Sequence, residues 1–336
     1  MTESVTESSE GTPSEGSEED DMSEGSAQTD ESWEGGQVWE TGVQGKDRKE
    51  RILKFINIDP SYPIPPQLPP NTHLHCLIHK LTEDILTSSS PISSSRLSNL
   101  ETYCSQNKTT LIDPPSSVAH LMNRDTIQKK LTKCLGREKV PKWIVFEEGG
   151  GEEDVEEGGL EYPIICKPLD AAGTPGSHRM SIIMSPSGLV SLPPRSILQS
   201  YINHSSLLFK TYVLGSNVRV FTRKSLPNIK GGEGRLEFDS QKEYPGWKDF
   251  GMDSYEEVKE EDKPILERGV YEEIAERIRE EFGVSLFGFD VVVGSGDGEV
   301  RVVDVNYFPS YKEMLGEVPG LLREFLEEKG EVAEPY

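Results

Sequence analysis

The sequence predicts a mixed α/β chain in two parts, a small α/β domain over roughly 46–140 and a larger strand-rich domain over 141–330. Three observations carry this. Up to Leu135, short apolar runs alternate with helical patterns in the order strand, helix, strand, helix. From Tyr162 onward, β-branched and aromatic runs follow one another, and Gly215-Ser216-Asn217 between two of them is a hairpin signal. The length of 336 residues accommodates two domains.

Residues 1–45 carry 13 acidic side chains, no Lys or Arg, and almost no aliphatic residues. They cannot bury enough apolar surface to offset the entropy of ordering, so a disordered acidic tail is expected. Order should begin near Arg51 with Ile52, Leu53, Phe55 and Ile56, followed by a proline-rich connector from Pro60 to Pro70. A strand at Leu74–Ile78 ends at His79-Lys80. A helix at Ser94–Asn107, a strand at Leu111–Ile112 and a helix at Arg124–Leu135 complete the small domain.

The stretch 147–161 holds 8 acids and no base, and reads as an acidic insert. Without it and the tail, the net charge moves from −24 to −3, so the low isoelectric point does not exclude an anionic ligand. Strands are expected at Tyr162–Pro168, Met180–Met184, Ile197–Ile202, Leu207–Leu214 and Val218–Arg223. Residues 226–262 are polar and Gly-rich and read as a mobile loop. A helix at Ile265–Phe282, strands at Leu286–Val293 and Glu299–Val305, and a helix at Pro319–Glu328 close the chain.

Several classes are disfavoured. No basic run suggests nucleic-acid binding. No apolar stretch has the length of a membrane span, and no signal-peptide pattern opens the sequence. The four cysteines are isolated, which fits a reducing compartment without structural zinc; Cys76 and Cys166 sit in apolar runs as core thiols. A cytoplasmic or nuclear monomer is the expectation. The acidic tail could be phosphorylated or bind basic partners.

The C-terminal hairpin is the most informative feature. Asp290 interrupts the apolar run FGFDVVV, and Asp304 and Asn306 interrupt VVDVN. Strand alternation puts Asp304 and Asn306 on one face, and a hairpin centred near Asp297 would set Asp290 opposite Asp304. Three oxygen donors would then share a patch of the kind Mg²⁺ accepts, completed by substrate phosphates. Lys167 ends the apolar run IIC and needs an anionic partner or an exit to water. The loop AAGTPGSH (171–178) follows at once, its small residues letting backbone N–H groups approach a phosphate, with His178 at its tip. Lys210, Arg223 and Ser225 lie on or at the ends of the next two strands. His79 and Lys80 lie past a strand end, as two cations suited to a polyanion.

Taken in order, these segments resemble the inositol-tetrakisphosphate 1-kinase family, also called inositol 1,3,4-trisphosphate 5/6-kinases, of the ATP-grasp fold. The matching pieces are IHKLTEDI (78–85), the IDPP…NRDTIQKKL region (112–131), YPIICKPLDAAGTPGSHRMSII (162–183), LQSYINHSSLLFKTYVLG (198–215), RKSLPN (223–228) and LFGFDVVV…VVDVNYFPSY (286–311). INH…LFK-x-YV-x-G together with D-x-N-x-FP-x-Y is the specific part.

The resemblance implies an ATP-grasp fold, in which two antiparallel-sheet subdomains clasp ATP after the small α/β domain. It implies an ATP- and Mg²⁺-dependent kinase acting on hydroxyls of inositol polyphosphates, with two Mg²⁺ ions expected and no covalent enzyme intermediate. ATP would lie between the sheets with its adenine edge near Gln199, Tyr201 and Ile202. Arg124, Lys167, Lys210 and Ser225 match nucleotide positions; Asp290, Asp304 and Asn306 match metal ligands. Lys80, His178, Lys210, Asn306 and Ser310 match positions at the inositol phosphate, and Lys210 and His178 are the catalytic candidates.

Two departures stand out. Relatives open with a strand and a Lys-rich turn ahead of the segment equivalent to Lys54–Pro60, where this chain has acidic sequence; Lys46 and Lys49 are poor substitutes. Ala172 stands where some relatives carry a polar residue. A carboxylate–amine ligase and a non-catalytic inositol-phosphate or nucleotide sensor remain as alternatives.

Overall fold

The fold is organised by two antiparallel sheets that line a common cleft. The computed structural model describes residues 38–41, 53–174, 176–193, 195–255, 258, 264 and 266–331, all within the unit Gly36–Tyr336. The first sheet contains β9 (Leu207–Leu214), β10 (Asn217–Lys224), β12 (Leu286–Val293) and β13 (Val300–Tyr307) in the order β10-β9-β12-β13. The second contains β5 (Trp143–Phe146), β6 (Ile164–Pro168), β7 (Arg179–Ile183), β8 (Ser196–Ser200) and β11 (Arg235–Asp239) in the order β11-β7-β6-β8-β5.

The central strands β9 and β12 are near-continuous apolar runs because both of their faces are covered. On one face lie α4 (Arg124–Leu135) and α6 (Arg268–Phe282). Helix α6 presents Tyr271, Ile274, Ala275, Ile278 and Phe282 as one buried stripe and stops at Gly283, whose φ of 66° supplies the left-handed cap. Helix α4 starts at Asn123, whose side chain accepts from Thr126 N–H at 3.2 Å. The β9–β10 turn requires its glycine twice over. Gly215 has φ of 57°, and a Cβ there would lie 2.4 Å from Phe325 of α7 (Val318–Glu331).

The smaller N-terminal elements are β1 (Val38–Thr41), β2 (Leu53–Ile56), β3 (Cys76–Ile78), α1 (Thr82–Leu86), α2 (Pro91–Asn107), β4 (Thr110–Ile112) and α3 (Pro115–Val118). Strands β3 and β4 pair in parallel, joined by α1 and α2. The expected boundary near 140 does not divide the core. Ile85, Ile112, Val118, Leu121, Ile127 and Leu131 belong to the same buried cluster as β9, β12 and β13.

Other expectations change as well. Within the expected disordered tail, Val38–Thr41 pairs antiparallel with Leu53–Ile56; the rest of 1–45 lies outside the described residues. The acidic insert is a packed element. Helix α5 (Glu152–Glu157) buries Val155, and Leu160 follows it, against Phe146, Ile164 and Leu198, while its acids face outward. The loop expected over 226–262 contains β11, an edge strand whose Leu236 and Phe238 join Leu226, Ile229 and Phe250 in a second buried cluster. Five residues of alternation between glycines and polar residues are too few to stand out in sequence. Helix α6 begins at Arg268, three residues later than expected, after extended Glu267. Cys166 is buried as expected; Cys76 is only partly covered, and Cys104 is the other buried thiol. No helix among the described residues is long and apolar enough to cross a membrane.

One buried acid ties the N-terminal elements to the first sheet. The Asp113 carboxylate accepts from Ser285 N–H at 2.7 Å and Leu286 N–H at 2.8 Å, at the entry to β12. His79 bonds the Asp113 carbonyl at 2.6 Å, and Tyr307 O–H donates to the His79 carbonyl at 3.0 Å. Burial pushes the Asp113 carboxyl up despite those two backbone donors. Asp113→Ala should therefore cost about 2–3 kcal/mol, by orphaning the buried N–H of Leu286 and the part-buried N–H of Ser285. Asp113→Asn, which keeps an acceptor and buries no charge, should cost about 1 kcal/mol. Urea unfolding of both variants checks the order.

Candidate functional site

The cleft has a volume of about 1560 Å³ and draws its walls from both sheets. Its acidic floor is the β12–β13 hairpin. Asp290 pairs directly with Asp304 in the register, next to a ladder irregularity between Asp290 and Val291. Asn306, on the same face, donates from Nδ2 to Asp304 Oδ2 at 3.2 Å. Gly288 lies opposite Asn306 on this face; a Cβ there would come within 3.1 Å of the Thr211 carbonyl and of Pro309. Burial pushes the Asp290 carboxyl up; the Lys210 ammonium pulls it back, and the neighbouring Asp304 pushes it further up.

Among the described residues no three His, Cys, Asp or Glu side chains gather as a metal cluster. The donor set here is two carboxylates and one amide. That is too few ligands for a closed protein cage, but it suits Mg²⁺, which keeps several waters and takes further oxygens from phosphates. A divalent cation would also offset the repulsion within a partly desolvated carboxylate pair.

Cations flank this floor. Lys210 Nζ lies 2.9 Å from Asp290 Oδ1, on the adjacent strand and in register with it. Lys167 reaches across from the second sheet, and its buried ammonium donates to Gln199 Oε1 at 2.8 Å and to the Val303 carbonyl at 2.9 Å. Burial pulls its pKa down to about 8, although Asp304 works in the opposite direction. Gln199 is held in turn by Gln128, its Nε2 donating to Gln128 Oε1 at 3.1 Å. Sequence reasoning missed Gln128. The available signal was its position four residues after Arg124, which places two polar residues on one face of a helix that otherwise buries Ile127 and Leu131.

Arg124 occupies the cleft wall, but its guanidinium is used by the loop that follows β6. It donates to the carbonyls of Pro168 at 2.6 Å, Asp170 at 2.8 Å and Ser177 at 3.1 Å. Its visible role is to clamp the loop 168–178, within which Gly173 turns at φ of 79°. His178, at the loop's end, lines the cleft, and its carbonyl accepts from Ser240 N–H at 2.9 Å. Lys80 stands exposed on the same lining, with no ion-pair partner among the described residues, and Ser310 lies there too. His79 does not belong to the lining. It is buried, bonded to Asp113 and pulled down by desolvation, so only one of the two cations expected at that strand end is present.

Two motifs far apart in sequence are joined at the far end of the cleft. Asn203 exchanges bonds with the backbone of Ile229, at 3.1 and 2.8 Å. Tyr201 O–H donates to the Pro227 carbonyl at 2.7 Å. His204 contacts both the Ile202 carbonyl and Ser225 Oγ. INH and SLPN thus form one wall, and Gln199, Tyr201, Ile202 and Ser225 all face the same space. His204 was another residue that sequence reasoning passed over. The segment after β11 also lines the cleft, with Lys242, Tyr244 and Lys248, which the expectation of a mobile loop concealed. Tyr244 is packed edge-on against Phe238, and its phenol is pushed up to about 12, first by burial and then by Asp290 and Asp304.

Comparison with known proteins agrees with this architecture. Residues 135–328, more than half of the chain, match the model for the inositol 1,3,4-trisphosphate 5/6-kinase ATP-grasp domain. The chain is 31% identical to inositol-tetrakisphosphate 1-kinase 3 of Arabidopsis thaliana over 292 residues, covering 81% of this chain and 75% of that one. It is 32% identical to inositol-tetrakisphosphate 1-kinase 2 of Glycine max, covering 79% and 83% respectively. Among solved structures, the ATP-grasp ligase PsnB complexed with minimal precursor, Mg and ADP aligns with a TM-score of 0.51 at 12% identity, over 87% of this chain and 85% of that chain. That likeness shows the fold. With a shared fold, a matched domain and relatives aligned over most of their length, the chain belongs to the inositol 1,3,4-trisphosphate 5/6-kinase family of ATP-grasp proteins.

Proposed function

We propose that this chain transfers the terminal phosphoryl group of ATP to a hydroxyl of an inositol polyphosphate, as a monomer and with two Mg²⁺ ions. The observation that carries the reading is the charge layout of the cleft. A carboxylate pair forms the floor, and Lys210 and Lys167 stand against it from two different sheets. The lining also carries Lys80 and His178 toward a second ligand.

In this reading Asp290, Asp304 and Asn306 hold the metal. The chemistry that Mg²⁺ would supply there is neutralisation of the charge on substrate phosphates. Lys167 binds the nucleotide's phosphates from the second sheet. Gln199, Tyr201, Ile202 and Ser225 bind the nucleoside end, and Arg124 supports the nucleotide by fixing the 168–178 loop. Lys210 and His178 act on the transferring phosphoryl group. Lys210, paired with Asp290 at 2.9 Å, and His178 on the cleft lining can stabilise the three equatorial oxygens. Lys80, His178, Lys210, Asn306 and Ser310 receive the inositol polyphosphate. Rate enhancement comes from alignment and charge neutralisation.

The test is incubation with MgATP and a panel of inositol phosphates, with products located by position-resolving NMR. Amino acids plus a carboxylate form the control. Phosphate release only with acid and amine would instead identify a ligase. His178→Ala should lower turnover by about a hundredfold, the usual size of one lost transition-state contact, and should move KM for ATP little. A proportional rise in KM for both substrates would instead give His178 a purely binding role.

A further inference from the structure

The cleft contains one buried histidine that the phosphoryl chemistry leaves without a task. His204 is 5% exposed, and both ring nitrogens are engaged. Nδ1 lies 2.6 Å from the Ile202 carbonyl oxygen, and Nε2 lies 2.8 Å from Ser225 Oγ. A carbonyl oxygen only accepts, so Nδ1 carries a proton. Burial disfavours the charged ring and pulls His204 below its ordinary value. The neutral ring then has a lone pair at Nε2, and the Ser225 O–H must donate to it. The single proton of Ser225 is thereby committed to the protein. The oxygen offers the cleft only lone pairs.

The arrangement is held from several sides. His204 opens a tight turn closed by Leu207 N–H to the His204 carbonyl at 3.0 Å. Ser205 and Ser206 sit at its centre with φ of 56° and 57°, both in the left-handed region. Ser205 N–H donates to Asn228 Oδ1 at 2.7 Å, and Ser206 Oγ bonds the Tyr255 hydroxyl at 2.5 Å. Ser225 N–H donates to the Ser206 carbonyl at 2.8 Å. With turn and serine tied together, the ring has no room to trade its partners.

Location decides what the oxygen meets. Phe221 of β10 lies opposite Lys210 in the register, and Ser225 is four residues further along, about 13 Å away at strand rise. A triphosphate whose terminal group stood at Lys210 and Asp290 would run along that interval. Its sugar would then come beside Ser225.

We infer that His204 is a positioning residue that fixes Ser225 as a pure acceptor, so that Ser225 takes a ribose hydroxyl of the nucleotide and rejects a phosphate oxygen. The inference rests on the nucleotide reading above and adds the polarity of one contact.

The experiment uses the full chain and calorimetric titration with ATP, 2′-deoxy-ATP and 3′-deoxy-ATP. Wild type should bind one deoxy analogue about fivefold more weakly than ATP, the size of one hydrogen bond between neutral groups. Ser225→Ala and His204→Ala should each bind ATP about fivefold more weakly and no longer distinguish the analogues. The double variant should be no worse than either single one, because both remove the same contact. His204→Gln, whose amide carries a donor and an acceptor, should restore part of the discrimination. Nitrogen-15 spectra of the histidine rings give a readout independent of binding, with the proton expected on Nδ1 and Nε2 bare. A proton on Nε2 at neutral pH, no discrimination by wild type, or discrimination that survives Ser225→Ala would each overturn the inference. If His204→Ala does not fold, the spectra and Ser225→Ala decide. Failure to bind ATP at all would overturn the function proposed above and this inference with it, whereas ATP binding without analogue discrimination would overturn the inference alone.

Discussion

Asp304→Ala should reduce phosphoryl transfer by at least about a thousandfold while leaving the folded state intact. The two halves of this expectation have one cause. Asp304 and Asp290 face each other across β12 and β13, and the neighbouring Asp304 makes Asp290 harder to ionise. Among the described residues, the bond from Asn306 at 3.2 Å is the one hydrogen bond of the Asp304 side chain. Removing Asp304 loses that modest bond and part of the charge that offsets buried Lys167 and Arg124, but it also relieves a like-charge pair, so the melting temperature should stay within a few degrees of wild type. The same removal takes away one of two carboxylates that can hold a divalent ion against substrate phosphates. Turnover with an inositol phosphate and a thermal melt, run together, check the prediction. Unchanged turnover would remove Asp304 from the site; a large drop in melting temperature would make its role structural.

That hairpin was also the part of the site most legible in sequence. Polar residues inside apolar strands have few explanations, and the two-residue period is rigid enough to put Asp304 and Asn306 on one face and Asp290 opposite. The strands themselves were readable for the same reason, since Leu207–Leu214 and Leu286–Val293 are long, apolar and bounded by turns. What could not be read was tertiary. Whether Arg124 would meet a ligand or the carbonyls of Pro168, Asp170 and Ser177 depends on where the chain passes after β6, which no local pattern encodes. His79 looked like a cation, but burial against Asp113 and Tyr307 makes it a structural link. Strand β11 and helix α5 were hidden because each uses only two or three apolar side chains, and their packing partners are remote in sequence. The departure noted ahead of Lys54 also looks different beside the structure. The cleft carries Lys242 and Lys248 on the segment after β11, cations that a search restricted to the N-terminal side would not find.

Lys167→Met should have the second large effect, about a hundredfold or more in turnover, and with it a change in pH dependence that identifies the lysine. The ammonium is fully engaged without ligand, donating to Gln199 Oε1 and to the Val303 carbonyl. It therefore serves as a bridge between the sheets before it serves a phosphate. Burial has drawn its pKa from 10.5 down to about 8. The folded chain thus releases this proton more readily than the unfolded chain. Below about pH 8 both states hold the proton, and the full cost of burying the charge is present. As pH rises from about 8 to 10.5 only the unfolded state keeps it, so this group's contribution to stability increases across that window, by up to about 3 kcal/mol. Nucleotide binding moves in the opposite direction. A triphosphate needs the charged form, so affinity for ATP should fall as pH passes about 8. Methionine fills a similar volume without a charge and should flatten both trends. Other groups titrate in the same range, so the difference between wild type and Lys167→Met, in urea stability and in ATP titrations from pH 7 to about 10, is the quantity to measure. A difference that does not vary with pH would mean that Lys167 keeps its proton throughout, and that its bonds to Gln199 and Val303 outweigh the burial that opposes them.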